Sequence, residues 1–326
     1  MTGPAMASRT ATRPAPWAFA APWGARGYVT DLDGPVHWVE FGQDRGPGQD
    51  DEPPIVFVHG LGGSHLNWCL IGSALAASRR VVALDLHGFG LTPGTRGTST
   101  VQRNARLLGR FVREVTGTPV ILAGNSMGGL ISILQTASAP DTVRGLVLID
   151  PALPLPRRAP DRQVGSQFLM YALPGLGEFY VRTVMARTPP RLAVQRVVEL
   201  CFADPSRADP AILTASIALA AERQSQRTRA TDQAFLAASR SLMRVVGRRR
   251  RYWEMMASVR VPVLLIGGEA DRLVPVASTR QAAARNPRWE TVILPGVGHT
   301  PQLEVPDVVT ETLRDWLERH FAPIAG

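Results

Sequence analysis

The chain has 326 residues, 45% of them apolar, with a formal net charge of +9 and a mean hydropathy near zero. That length suits one large α/β domain or two small ones, and no run of eighteen uninterrupted apolar residues offers a membrane-spanning helix. All 36 basic residues are arginines, scattered apart from the run Arg248 to Arg251, and no nucleic-acid motif accompanies them, so no nucleic-acid partner is expected.

Residues 1–25 are interrupted by Pro14, Pro16 and Pro22 and lack the continuous apolar centre of a secretory signal. They read as a loosely ordered arm whose Trp17, Phe19 and Trp23 could pack on the body. Next, YVTDLDGPVHWVEFG places two short alternating runs around an Asp-Gly-Pro turn, the pattern of a hairpin. IVFVH, VVALD, VILAG, LVLID, VLLIG and TVILP follow as continuous apolar runs typical of strands covered on both faces. Helical stretches such as 100–116 and 127–138 separate most of them, which predicts an α/β fold with a mostly parallel, doubly wound sheet. From 152 to 258 the alternation gives way to helical segments at about 163–173, 176–186, 191–203, 209–224 and 231–246. This reads as a helical cap inserted into a core made of 26–151 and 259–326, with Arg248 to Arg251 as a solvated helix end.

In an open parallel sheet, ligands meet the carboxyl ends of the strands, so the residues after each apolar run matter most. IVFVH leads into Gly60-Leu61-Gly62-Gly63, VILAG into Asn125-Ser126-Met127-Gly128, VLLIGG into Glu269-Ala270-Asp271, and TVILPGVG into His299. A serine, an aspartate and a histidine therefore share one rim. Ser126 is flanked two positions away by Gly124 and Gly128, the spacing needed where a sharp strand-to-helix turn leaves no room for bulk. Met127 N–H then faces the same space as the serine hydroxyl, and the glycine-rich loop could add Leu61 N–H as a second donor to an oxyanion. His299 would take the serine proton and Asp271 would orient the imidazole, with Asp150 after LVLID as the alternative acid. His59 and Gly60 read as loop-fixing residues, and Asn125 as a brace for the elbow.

These motifs, HGLGG, GNSMGG, GEADRLVP and GVGHTPQLE, resemble in order and spacing those of the α/β-hydrolase-fold serine hydrolases over about residues 27–326. DLHGFG matches the family's turn after the next strand, with His87 in place of the commoner proline or arginine. The resemblance implies a carboxylesterase or lipase that works through an acyl-enzyme on a small or medium apolar ester. A carbon–carbon hydrolase of meta-cleavage-product type is the alternative. Those enzymes usually carry a tryptophan after the base histidine and a prolyl-glycine in the oxyanion loop, where this chain has Thr300 and Gly62-Gly63. Epoxide hydrolases and haloalkane dehalogenases need an aspartate nucleophile, which Ser126 is not. A ligand-binding protein that keeps the fold with little turnover is the reading from another class.

Two cysteines form no disulfide framework, and the histidines are not at ligand spacing in the sequence. The expectation is a cytoplasmic protein without metal or cofactor. Phe168, Leu169, Met170, Tyr171, Phe179 and Tyr180 are expected to line the pocket or the interior of the cap, which is also a candidate for contact with a lipid surface.

Overall fold

The computed structural model describes residues 11–42, 52–94, 97, 99–156 and 162–321, the side chains at 162–164, 167 and 168 apart. Nine strands form one sheet: β1 (Thr12–Pro14), β2 (Ala25–Asp31), β3 (Pro35–Phe41), β4 (Ile55–Val58), β5 (Val81–Leu84), β6 (Val120–Asn125), β7 (Val143–Ile149), β8 (Val263–Gly268) and β9 (Glu290–Leu294). Their spatial order is β1-β2-β3-β5-β4-β6-β7-β8-β9. The pairs from β1 to β5 on that edge are antiparallel, and β5, β4, β6, β7, β8 and β9 run parallel. The hairpin read at YVTDLDGPVHWVEFG is β2–β3, and its turn puts Asp33 and Gly34 at φ of 62° and 125°.

Side-chain alternation explains why the central strands are apolar throughout. Val56, Val58, Leu122, Leu146, Leu148 and Leu265 face one buried layer. Their neighbours Ile55, Phe57, Ile121, Val147, Ile149 and Leu264 face the other. With both faces covered, a strand has no place for polar residues until it ends. Trp68 stacks on Phe57 at 4.4 Å in one layer, and Trp38 meets Phe111 edge-on at 5.6 Å in the other.

The helices of the body are α1 (Cys69–Leu75), α2 (Val101–Phe111) and α3 (Met127–Ser138). Between β7 and β8 lie α4 (Arg162–Ala172), α5 (Leu176–Thr183), α6 (Pro190–Cys201), α7 (Pro210–Ser225), α8 (Arg229–Gly247) and α9 (Arg249–Ala257). The chain closes with α10 (Val276–Arg285), α11 (Pro301–Glu304) and α12 (Pro306–Phe321). No helix among the described residues is long and apolar enough to cross a membrane.

Two local expectations differ from the structure. Part of the N-terminal arm is ordered: β1 pairs with β2, and Thr12 and Thr30 share a hydroxyl hydrogen bond of 2.8 Å, while Phe19 and Trp23 pack on the core as expected. Its proline sits on an edge strand, where a missing N–H costs no ladder bond. The helix expected over 100–116 is α-helical only to Phe111, then widens into a π-helical turn, Val112–Thr116, that ends on Gly117 at φ 69°. The arginine run is a solvated helix end, as expected, at the junction where Arg248 caps α8 and the next residues open α9. Arg248 precedes α9, Arg250 pairs with Glu254 at 2.8 Å, and the buried Tyr252 and Met256 anchor the helix in the core. Through these residues α9 packs on α3 of the body.

Polar groups fasten the inserted helices to the body. Arg223 of α7 is half-buried and donates to Gly90 O at 2.7 Å and Gly88 O at 2.9 Å, closing the turn after β5. Burial holds its guanidinium below the usual arginine value without discharging it. Arg223→Met keeps the stem but leaves two carbonyls without their donor. Urea denaturation should find the variant less stable by about 2 kcal/mol, with helix content by circular dichroism unchanged.

Candidate active site

The turn from β6 into α3 holds Ser126 at φ 54° and ψ −119°, a region that side chains avoid. Neighbouring glycines make the turn sterically feasible. A Cβ on Gly124 would lie 2.5 Å from Gly128 O, and one on Gly128 would lie 2.0 Å from Val58 O. The chain of β4 thus runs directly behind the elbow. Gly60, from the loop after β4, approaches from the other side, where a Cβ would meet the Ser126 Cβ at 3.1 Å. Ser126 is itself partly exposed. Met127 is the first residue of α3, so its N–H has no acceptor within the helix. The Leu61 N–H likewise has no acceptor among the described residues.

His299 follows β9 and is buried, with Nδ1 2.7 Å from Asp271 Oδ2. The other Asp271 oxygen accepts from Leu273 N at 2.7 Å and Val274 N at 3.0 Å, which fixes the carboxylate. His299 Nε2 is buried and has no hydrogen-bond partner among the described residues. Asn125, next to Ser126, donates through Nδ2 to His299 O and to Ile149 O, both at 3.0 Å. One amide therefore ties the serine turn to the histidine loop.

Of Asp271 and Asp150, only Asp271 meets the histidine. Asp150, at φ 40°, accepts from Gly268 N at 2.9 and 3.1 Å and is fully buried. Burial, and then the charge of Asp271, push its carboxyl well above the usual range.

His59 is a loop-fixing residue: Nδ1–H donates to Gly60 O at 2.7 Å and Nε2 accepts from Leu86 N at 3.0 Å. Burial lowers its pKa to about 4, so it is neutral when it makes these contacts. The structure also joins histidines that are distant in sequence. His37 Nδ1 and His65 Nδ1 lie 2.8 and 2.9 Å from Asp85 Oδ2, and Asp85 also accepts from His65 N and Leu91 N. Their ligand atoms are within 4.8 Å of one another, a juxtaposition that linear spacing did not suggest. Both imidazoles spend Nδ1–H on the carboxylate, so hydrogen bonding accounts for the cluster. Those contacts hold Asp85 well below the usual carboxylate range despite its burial.

Sequence reasoning missed Glu304. Its buried carboxylate accepts from Gly298 N at 2.8 Å, Ala203 N at 3.1 Å and Asp204 N at 3.0 Å, with Arg207 Nη1 at 3.4 Å. The loop after α6 is thereby bound to the residue before His299. Close by, His299 N donates to Cys201 O at 2.6 Å. Burial pushes the Cys201 thiol up to about 12, which leaves it a backbone prop and no nucleophile. The apolar residues expected inside the insertion divide in two. Tyr171 is buried and Met170 and Tyr180 pack around it, whereas Leu169 and Phe179 are 61% and 65% exposed. The inward positions of α4 and α5 are taken by Tyr171 and Val181, so Leu169 and Phe179 fall on outer faces. The Phe168 side chain lies outside the described residues. Phe235 of α8 comes 3.9 Å from where a Gly62 Cβ would stand, so this small cluster reaches the loop that carries Leu61.

A profile of the alpha/beta hydrolase family matches residues 55–312, and the chain belongs to that family. It is 28% identical over 291 residues to a dihydrolipoyllysine-residue acetyltransferase component of an acetoin cleaving system from Pseudomonas putida, covering 87% of this chain and 67% of that one. It is 35% identical over 109 residues to the human (lyso)-N-acylphosphatidylethanolamine lipase, about a third (32%) of each chain. Against a 2-hydroxy-6-oxo-6-(2'-aminophenyl)hexa-2,4-dienoic acid hydrolase from Metapseudomonas resinovorans it is 25% identical, covering 85% and 86%. Among solved structures, a bacterial membrane phospholipase A superposes with a TM-score of 0.71 at 26% identity, covering 92% and 88%.

The state of Asp150 has a measurable consequence. Unfolded, it releases its proton at ordinary carboxylate pH; folded, it keeps it to a higher pH. The folded state binds more protons in that window, so the group costs stability as pH rises. Asp150→Asn has the same shape and is neutral at every pH. Wild type and variant should match near pH 4 in urea denaturation, and the variant should gain toward pH 7 by up to about 1.4 kcal/mol per pH unit. A constant difference across that range would mean Asp150 titrates normally.

Proposed function

We propose that the chain is a serine hydrolase that cleaves the carboxylic ester of a small or medium apolar substrate through an acyl-enzyme. The observation that carries this reading is the 2.7 Å bond from His299 Nδ1 to Asp271. It commits Nδ1 to the carboxylate and leaves the buried Nε2 without a partner, on a loop that Asn125 ties to Ser126.

Ser126 Oγ attacks the ester carbonyl carbon while His299 Nε2 takes the hydroxyl proton, and Asp271 stabilises the resulting imidazolium. The carbonyl oxygen becomes an oxyanion held by the N–H groups of Leu61 and Met127, with the N-terminus of α3 adding to its stabilisation. Collapse breaks the carbon–oxygen bond, and the alcohol leaves with the proton from His299. Water then attacks the acyl-enzyme by the same route, which frees the acid and restores Ser126. Phe235, Tyr171 and Leu61 supply apolar surface near this centre, which suits an apolar acyl or alcohol group. The lipase and phospholipase among the similar proteins support ester chemistry.

A second reading keeps these groups and cleaves a carbon–carbon bond. The similarity to the dienoic acid hydrolase over most of both chains favours it, and Thr300 in place of a tryptophan weighs against it.

A fluorophosphonate probe tests the nucleophile. Wild type should label at Ser126, Ser126→Ala should not label, and His299→Ala should react roughly 10⁴-fold more slowly. Failure of the folded wild type to label overturns the serine-hydrolase reading. Turnover of p-nitrophenyl acyl esters but not of a coloured dienoate supports the ester; the reverse pattern assigns the second reading.

A further inference from the structure

The inserted helices carry an apolar surface that the interior does not use. Leu169, Leu173, Leu176, Phe179, Val184, Leu192 and Val197 are all exposed, and among the described residues Val308 is the only other large aliphatic or aromatic side chain this open. Leu169 and Leu173 are four residues apart, and Leu176 and Phe179 three apart, so the turn between α4 and α5 presents two neighbouring pairs. A concentration of this kind on one hairpin marks a contact surface.

The platform beneath it is fixed. Arg240 of α8 donates to Tyr171 O at 2.9 Å and Leu173 O at 3.3 Å, and pairs with both Glu178 oxygens at 2.7 and 3.0 Å. The guanidinium holds the Glu178 carboxyl down to about 2, which cancels one of the few negative charges here. Arg182, Arg187, Arg191 and Arg196 are exposed on the same segment, and none has a carboxylate partner among the described residues. The surface is therefore apolar with a cationic border. Two copies meeting through it would bring these arginines together, which disfavours self-association.

We propose that the α4–α5 turn and the start of α6 form a docking surface for an anionic lipid bilayer. Phe179 and the leucines enter the headgroup–acyl boundary, while the arginines meet lipid phosphates. Tyr171, on the inner side of the same turn, meets Phe235 edge-on at 5.2 Å, and Phe235 approaches Gly62. Docking would thus hold the site loop close to the membrane surface. Binding is independent of whether Ser126 is the nucleophile.

The test is co-sedimentation with vesicles, using the full chain carrying Ser126→Ala so that no lipid is consumed. It should sediment with vesicles of equal parts phosphatidylglycerol and phosphatidylcholine, weakly with phosphatidylcholine alone, and less as salt rises. Adding L169S and F179S should lower anionic-vesicle binding at least about tenfold. The same pair placed in the wild-type chain should leave the unfolding midpoint and fluorophosphonate labelling unchanged. Adding R182Q and R187Q should reduce binding to the anionic vesicles only. The proposal is overturned by a chain that stays in the supernatant, or by Ser variants that bind undiminished. A dimer in light scattering that those variants dissociate overturns it as well.

Discussion

Ser126 is held in a backbone conformation that costs on the order of 1–3 kcal/mol, and the geometry of the candidate site follows from that constraint. The strain persists because the elbow is enclosed by main chain. Val58 and His59 lie behind Gly128, Gly128 faces Gly124, and Gly60 closes on the serine Cβ. Relaxing the serine would push helix α3 away from β4, so the sheet's packing resists it. The same enclosure brings the Leu61 loop beside the first N–H of α3. A strained residue and two open donors thus share one cause, the close approach of two adjacent parallel strands at their carboxyl ends.

A second layer of constraint is polar and long-range. Glu304 gathers backbone N–H groups from the histidine loop and from the loop after α6, so His299 and part of the insertion form one unit. Arg223 does the same for α7 and the turn after β5, and Arg240 for the α4–α5 hairpin. A buried ion without partners would be strongly destabilising, and each of these groups instead meets several backbone dipoles. The insertion is consequently fastened at separate points around the candidate site. Its outward apolar residues then need no part in holding it on.

The parts that were legible in the sequence depend on neighbours in the chain. The apolar runs announced the central strands because a strand covered on both faces has one requirement at every position. Gly124, Ser126 and Gly128 announced the elbow because the clash a side chain at Gly124 would make, with Gly128 O, lies within five residues. What stayed hidden depends on partners far away. Glu304 looks like an ordinary helix carboxylate until Ala203 and Asp204, about a hundred residues earlier, are folded against it. The acid had the same ambiguity: Asp150 and Asp271 both end apolar runs, and only the fold reveals which one reaches His299. Strand β1 was hidden for the opposite reason, since a short edge strand with a proline needs no apolar pattern at all.

The two acidic side chains behind His299 illustrate how one environment assigns different jobs to identical groups. Asp271 accepts two backbone N–H groups on one oxygen and meets an imidazole through the other. Asp150 is fully buried beside it, and burial together with the adjacent negative charge pushes its carboxyl well above the usual range. A site built this way orients His299 from behind while leaving Nε2 open in front, and it does so with main-chain donors that cannot rotate away.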